Sequence, residues 1–113
     1  MQRGEIILGS CPFGDTAAAK LRPLLLLTGP VGAGTEVVAA YISSIIPSRL
    51  LTSDILLDAA LPQHQSTRLK VVSVLRLHKI ATVHTSAVQR SIGFISPALQ
   101  QEVDTKLKAV LTL

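Results

Sequence analysis

The stretch from Arg68 to Arg90 carries Arg68, Lys70, Arg76, Lys79 and Arg90 and not one Asp or Glu. His78 and His84 fall in the same stretch. Cations gathered without acids among them attract polyanions, and a histidine that titrates near neutrality can move a proton there. The combination points to a phosphate-facing segment. On an extended chain Lys70, Val72, Val74, Arg76 and His78 share one face, so Arg76 and His78 project together. A basic, solvated surface is the competing explanation, and composition alone does not separate the two.

A second motif invites a different chemistry. An apolar run, Leu24 to Leu27, leads into Gly29-Pro30-Val31-Gly32-Ala33-Gly34-Thr35, which has the outline of a phosphate-binding loop. The lysine such a loop uses to reach the outer phosphates is missing, since Thr35 directly follows Gly34. Asp58, after Ile55-Leu56-Leu57, imitates the metal-binding acid of those proteins. However, Glu36-Val37-Val38 is β-branched where a helix would have to begin. A glycine-rich hairpin turn is the better reading, and a nucleotide is expected to leave the melting temperature unchanged.

The elements that must position these groups are mostly strands. Glu5 to Leu8 reads as a first strand, followed by a loop through Cys11-Pro12-Phe13 and the alanines of Asp15 to Lys20. Arg22-Pro23 opens an aliphatic strand, Leu24 to Thr28, whose unbroken apolar character suggests burial on both faces. Thr35 to Ile42 is a strand rich in Val and Ile that stops at Ser43-Ser44. Asp54 to Asp58 is a short strand and Pro62 to Ser66 a loop. Two strands follow, Lys70 to His78 and Ile80 to His84, then a turn of helix over Ser86 to Arg90 and an apolar segment, Ile92 to Ile95. The last element is a helix with Ser96 as N-cap and Pro97 in its first position. Leu99, Val103, Leu107, Val110 and Leu111 form its apolar stripe, and Glu102 with Lys106 and Asp104 with Lys108 are spaced to pair.

Composition bounds the rest. A chain of 113 residues suits one domain spanning residues 1–113, and with 48% apolar residues and 3% aromatic ones its core must be aliphatic. The expected architecture is α+β, mainly β: a small barrel-like domain with a C-terminal helix. No apolar run approaches the roughly 20 residues of a membrane span, and the N-terminus lacks a secretory pattern, so a cytoplasmic protein is expected. The single cysteine, Cys11, excludes an intrachain disulfide and a paired-cysteine zinc site. A net charge of +4 favours anionic partners, while scarce aromatics exclude a base-stacking platform.

Taken in order, Arg3-Gly4-Glu5-Ile6, Lys20-Leu21-Arg22-Pro23 with its aliphatic strand, Val37 to Ser44, Ser73 to Thr82 and Arg90 to Ser96 resemble the PemK/MazF family of bacterial toxin-antitoxin toxins over nearly the whole chain. The resemblance implies an SH3-like barrel with short helices, active as a homodimer and neutralised by a cognate antitoxin. It also implies a metal-independent endoribonuclease, with no cofactor, that cuts single-stranded RNA or mRNA through the substrate's own 2′-hydroxyl and leaves a 2′,3′-cyclic phosphate. That reaction needs a base for the 2′-proton, a cation for the phosphorane and a proton for the leaving oxygen.

Carried onto this sequence, the family pattern implies catalytic roles for Arg22, Ser43, Arg76 and His78. Arg22 and Arg76 would neutralise the phosphorane, Ser43 would orient the phosphate, and His78, where relatives commonly have an acid, would move a proton. Lys20, Ser44, Lys79 and Thr82 would bind RNA, with Lys79 compensating for Ala81, which stands where many relatives have arginine. The loop Asp15 to Lys20 lacks the histidine some members use as base. These departures keep open a second class of function, a non-catalytic or protein-poisoning toxin like the gyrase inhibitors of a related fold.

Overall fold

The computed structural model describes residues 1–10 and 20–113. Six strands, β1 (Glu5–Ser10), β2 (Leu21–Leu26), β3 (Glu36–Ser43), β4 (Asp54–Leu57), β5 (Ser73–His84) and β6 (Val88–Phe94), form one antiparallel sheet in the order β4-β5-β3-β2-β1-β6. A helix, α1 (Pro97–Leu111), closes the chain. This is the small, mainly β, α+β barrel-like architecture that the pattern of short strands and one terminal helix implies. No described helix is long and apolar enough to cross a membrane. The expected loop Asp15 to Ala19, and Cys11 before it, lie outside the described residues.

The sheet is apolar on both sides, which explains its unbroken aliphatic runs. Ile6, Leu25, Ala40, Ile42, Leu75 and Leu77 join one buried cluster, which α1 covers with Leu99 and Val103. Their strand neighbours Ile7, Leu24, Leu26, Val37 and Ala39 join a second one, with Val83. Alternating side chains of a strand point to opposite faces, so β1, β2 and β3 each feed both clusters. Between β2 and β3 the glycine-rich segment is a hairpin turn, as expected. Gly32 and Gly34 take φ of 61° and 84°, and Val31 bridges to Glu36.

The helix also follows its sequence signals. Ser96 Oγ accepts the Leu99 amide at 3.2 Å, Pro97 opens the first turn, and Leu99 and Val103 are buried while Leu107 packs at the margin. Asp104 and Lys106 find other partners than the Lys108 and Glu102 expected for them. Asp104 pairs with Arg3 and Gln100, and Lys106 Nζ reaches the Thr52 carbonyl at 2.7 Å. Long side chains on an exposed face take whichever acceptor tertiary structure brings near.

Three local expectations are corrected. Pro62–Thr67 is a 3-10 helix rather than an open loop. The helical turn expected over Ser86 to Arg90 is a 3-10 turn at Thr85–Ala87, after which Val88 to Arg90 are drawn into β6 and its pairing with β1. The two expected strands Lys70 to His78 and Ile80 to His84 are one strand, β5, broken by a bulge, and Lys70 to Val72 lie before its start at Ser73. One step on β3, Ala40 to Tyr41, is matched by four on β5, Ile80 to Arg76, so Leu77, His78 and Lys79 stand outside the β3–β5 register. A bulge of odd length reverses which face a given residue shows. Leu75 and Leu77 therefore reach one core while Ala81 and Val83, of the same numerical parity, reach the other.

Candidate active site

The bulge sits where four strands bring polar groups into one row. Leu24 of β2, Tyr41 of β3, Arg76 of β5 and Asp54 of β4 are successive cross-strand partners, and directly opposed residues share a face. Arg22, two residues from Leu24, joins that face. Its Nη1 donates to the Tyr41 hydroxyl at 3.1 Å, and its guanidinium carbon lies 5.5 Å from the centre of the Tyr41 ring. Lys79, from the bulge, places Nζ at the same 5.5 Å from that ring. Both approaches fit cation–π attraction, so one tyrosine holds two cations close to each other.

Arg76 is anchored from the opposite side. Its Nε donates to Asp54 Oδ1 at 3.0 Å and its Nη2 to Oδ2 at 3.4 Å, a side-on pairing that leaves the Nη1 end directed away from the carboxylate. Asp54 is wholly buried as a side chain and also accepts the Leu51 amide at 2.9 Å. Next to it, Ser53 Oγ lies 2.7 Å from His78 Nδ1, and Asp54 Oδ1 is 4.0 Å from the same nitrogen. One dipeptide at the start of β4, Ser53-Asp54, thus fixes both the guanidinium and the imidazole.

Electrostatics sets the protonation state. Burial holds the His78 pKa below its ordinary 6.5, the neighbouring Arg76 and Lys79 charges push it the same way, and Asp54 offsets only part of this. His78 is therefore the neutral imidazole at pH 7, able to accept a proton. The expected common projection of Arg76 and His78 is realised, both converging on Asp54.

The remaining sequence candidates divide. Lys20 is exposed just before β2. Ser43 is buried, and its hydroxyl accepts the Ile45 amide at 3.1 Å, closing a turn. Ser44 beyond it is exposed and lines a cleft of about 510 Å³ together with Arg22, Arg68, Lys70 and Arg90. Thr82 is not brought to the others: it pairs with Val38, three residues along β3 from Tyr41. Tyr41, Ser53 and Asp54 were not singled out by sequence reasoning. The usable signal was an acid opening an aliphatic strand, Asp54-Ile55-Leu56-Leu57, where Asp58 drew the attention instead. Among the described residues no group of three or more His, Cys, Asp or Glu side chains is placed to hold a metal ion.

A family model described as PemK-like, MazF-like toxin of type II toxin-antitoxin system matches residues 2–111. Among solved structures, the Mycobacterium tuberculosis toxin MazF-mt6 is similar at 21% identity, with 96% of this chain and 97% of that one covered and a TM-score of 0.75. An endoribonuclease in complex with its cognate antitoxin from Mycobacterial species aligns at 17% identity over 100% and 96% of the two chains, with a TM-score of 0.71. MazE-MazF from Deinococcus radiodurans aligns at 18% over 100% and 97%, with a TM-score of 0.74. At these identities the likeness is one of fold. No curated protein matches the chain.

Proposed function

Because the chain belongs to the PemK-like, MazF-like toxins of type II toxin-antitoxin systems, we propose that it is an endoribonuclease cleaving single-stranded RNA without a metal ion and silenced by a cognate antitoxin. The observation that carries the proposal is the setting of Arg22. The partner that orients it is a hydroxyl rather than a carboxylate, so that contact leaves the guanidinium's charge to meet a phosphate, with Arg76 on the same face of the sheet.

In the proposed reaction the 2′-oxygen attacks the adjacent phosphorus as His78 accepts the 2′-proton. The bond to the 5′-oxygen breaks and that oxygen takes a proton from solvent, giving a 2′,3′-cyclic phosphate and a 5′-hydroxyl. Arg22 and the Nη1 end of Arg76 neutralise the phosphorane, where a positioned charge acts most strongly. Ser44, exposed on the cleft wall, is better placed than Ser43 to hold a phosphate oxygen. Ser43 contributes by shaping the turn that presents it. Lys20 and Lys79 draw in the RNA, and the active unit is a homodimer, as the family resemblance implies.

The test is incubation of the protein with an end-labelled single-stranded RNA pool in excess EDTA, beside Arg22→Ala, with the product ends mapped. Discrete cuts bearing cyclic phosphate and 5′-hydroxyl ends, lost in the variant while its melting temperature is kept, are expected. An uncut pool, or an Arg22→Ala protein as active as the parent, overturns the proposal.

A further inference from the structure

The acid-free stretch from Arg68 to Arg90 does not act as one patch in the folded chain. Arg76 is anchored on Asp54 at the candidate active site, and Lys79 is drawn over Tyr41. The other three cations converge elsewhere. Arg68 ends the 3-10 helix in a left-handed conformation, with φ of 55°, a turn that leaves its own side chain exposed while Leu69 is tucked into the core. Lys70 follows on the same lip, and Arg90 comes from β6, opposite Leu8 of β1. All three are exposed and line the 510 Å³ cleft, whose floor is aliphatic, with Leu8, Ile42 and Ile92 among its residues. Among the described residues that line it there is no carboxylate, and Arg22 and Ser44 line it as well, so it meets the candidate active site at Arg22.

We infer that this cleft is a second RNA subsite, in which Arg68, Lys70 and Arg90 hold backbone phosphates flanking the one to be cut and the aliphatic floor receives a nucleobase. The inference rests on the RNA reading above. Charge decides the occupant: three exposed cations from two separate segments, with no acid among the described residues of the walls, match the repeating charge of a nucleic acid backbone. An aliphatic floor accepts any base face by contact without selecting one, so the subsite adds affinity rather than sequence choice.

The experiment measures binding, so that cleavage does not enter. A fully 2′-O-methylated single-stranded RNA is titrated by fluorescence anisotropy at several salt concentrations against the parent chain, the Arg68→Ala/Lys70→Ala/Arg90→Ala variant and Arg90→Lys. Each lost phosphate contact lowers the slope of log affinity against log salt by about 0.7 for a single strand. The triple variant is therefore expected to lose about 2 slope units, which makes its fall in affinity between about 50 and 200 mM salt roughly 20-fold smaller than the parent's. Arg90→Lys keeps its contact and its share of the slope. Thermal melts confirm folding, since exposed side chains of this kind contribute little to stability. A triple variant with the parent's slope and affinity overturns the subsite and leaves the RNA reading standing. A parent chain that binds no RNA overturns both. A triple variant that keeps RNA affinity but loses affinity for an acidic, leucine-rich peptide assigns the cleft to a protein partner and also overturns the inference.

Discussion

Replacing Asp54 is the sharpest perturbation the fold offers. Its carboxylate, with no solvent exposure, accepts from Arg76 Nε, Arg76 Nη2 and the Leu51 amide at 3.0, 3.4 and 2.9 Å. A hydrogen bond to a charged group contributes about 1.5 to 3 kcal/mol. Asp54→Ala removes all three contacts. The Arg76 side chain keeps 19% exposure, so it can rehydrate in part, and the low end of the range applies to it. With the two Arg76 contacts counted as one bidentate interaction beside the Leu51 amide, both at that low end, the expected loss is about 3 kcal/mol. For a chain of 113 residues this lowers the melting temperature by about 12 °C. Asp54→Asn keeps an acceptor for Leu51 and should lose about 2 kcal/mol. The assay is urea unfolding at fixed protein concentration, run as a double-mutant cycle with Arg76→Ala, in which a coupling of about 1 to 2 kcal/mol is expected. The apolar exchange Asp54→Leu/Arg76→Met should recover most of the stability and none of the RNA cleavage, because a buried ion pair is often replaceable at little cost to folding. An Asp54→Ala protein within about 0.5 kcal/mol of the parent would refute the reasoning.

Further outcomes follow from His78 and from Gly93. The depressed pKa of His78 means that the unfolded chain, at 6.5, takes up a proton before the folded one does, so stability falls as pH drops through 6.5, and His78→Gln should remove that part of the fall. For the same reason the acid limb of kcat/KM should lie below pH 6.5. An imidazole NMR titration should move up in Arg76→Gln and down in Asp54→Asn, and a limb above 6.5 would exclude neutral His78 as the base. Gly93→Ala, measured by urea unfolding, should cost about 2 to 3 kcal/mol, because a Cβ there would press on the backbone carbonyl oxygens of Ser66 and Thr67. A loss below about 0.5 kcal/mol would mean that the 3-10 helix is free to shift.

Much of the fold is legible in the chain because its signals are local. Ser96-Pro97 marks the helix start, Gly32 and Gly34 mark a turn, and Leu24 to Leu27 announces a strand covered on both sides. What escapes is register. Asp54 becomes the anchor of Arg76 only because β4 pairs with β5 at that step, and the intervening chain, with its 3-10 helix, gives no spacing from which to deduce it. The bulge is hidden for a similar reason. Leu75, Leu77, Ala81 and Val83 keep one numerical parity throughout, so the sequence shows no change of phase where the structure changes face. Arg68, Lys70 and Arg90 look like members of one basic run and become a group apart only when β6 folds back along β1.

The bulge also restricts how the length of this segment can vary. Three residues of β5 lie outside the register, and that odd number delivers Leu75 to one core and Val83 to the other. Deleting or inserting a single residue there acts as a structural frameshift, turning one half of the strand inside out. A change of two preserves the phase. His78 and Lys79 are thus carried on a segment whose length is quantised in pairs, so new reach toward a substrate can be added only in steps of two residues.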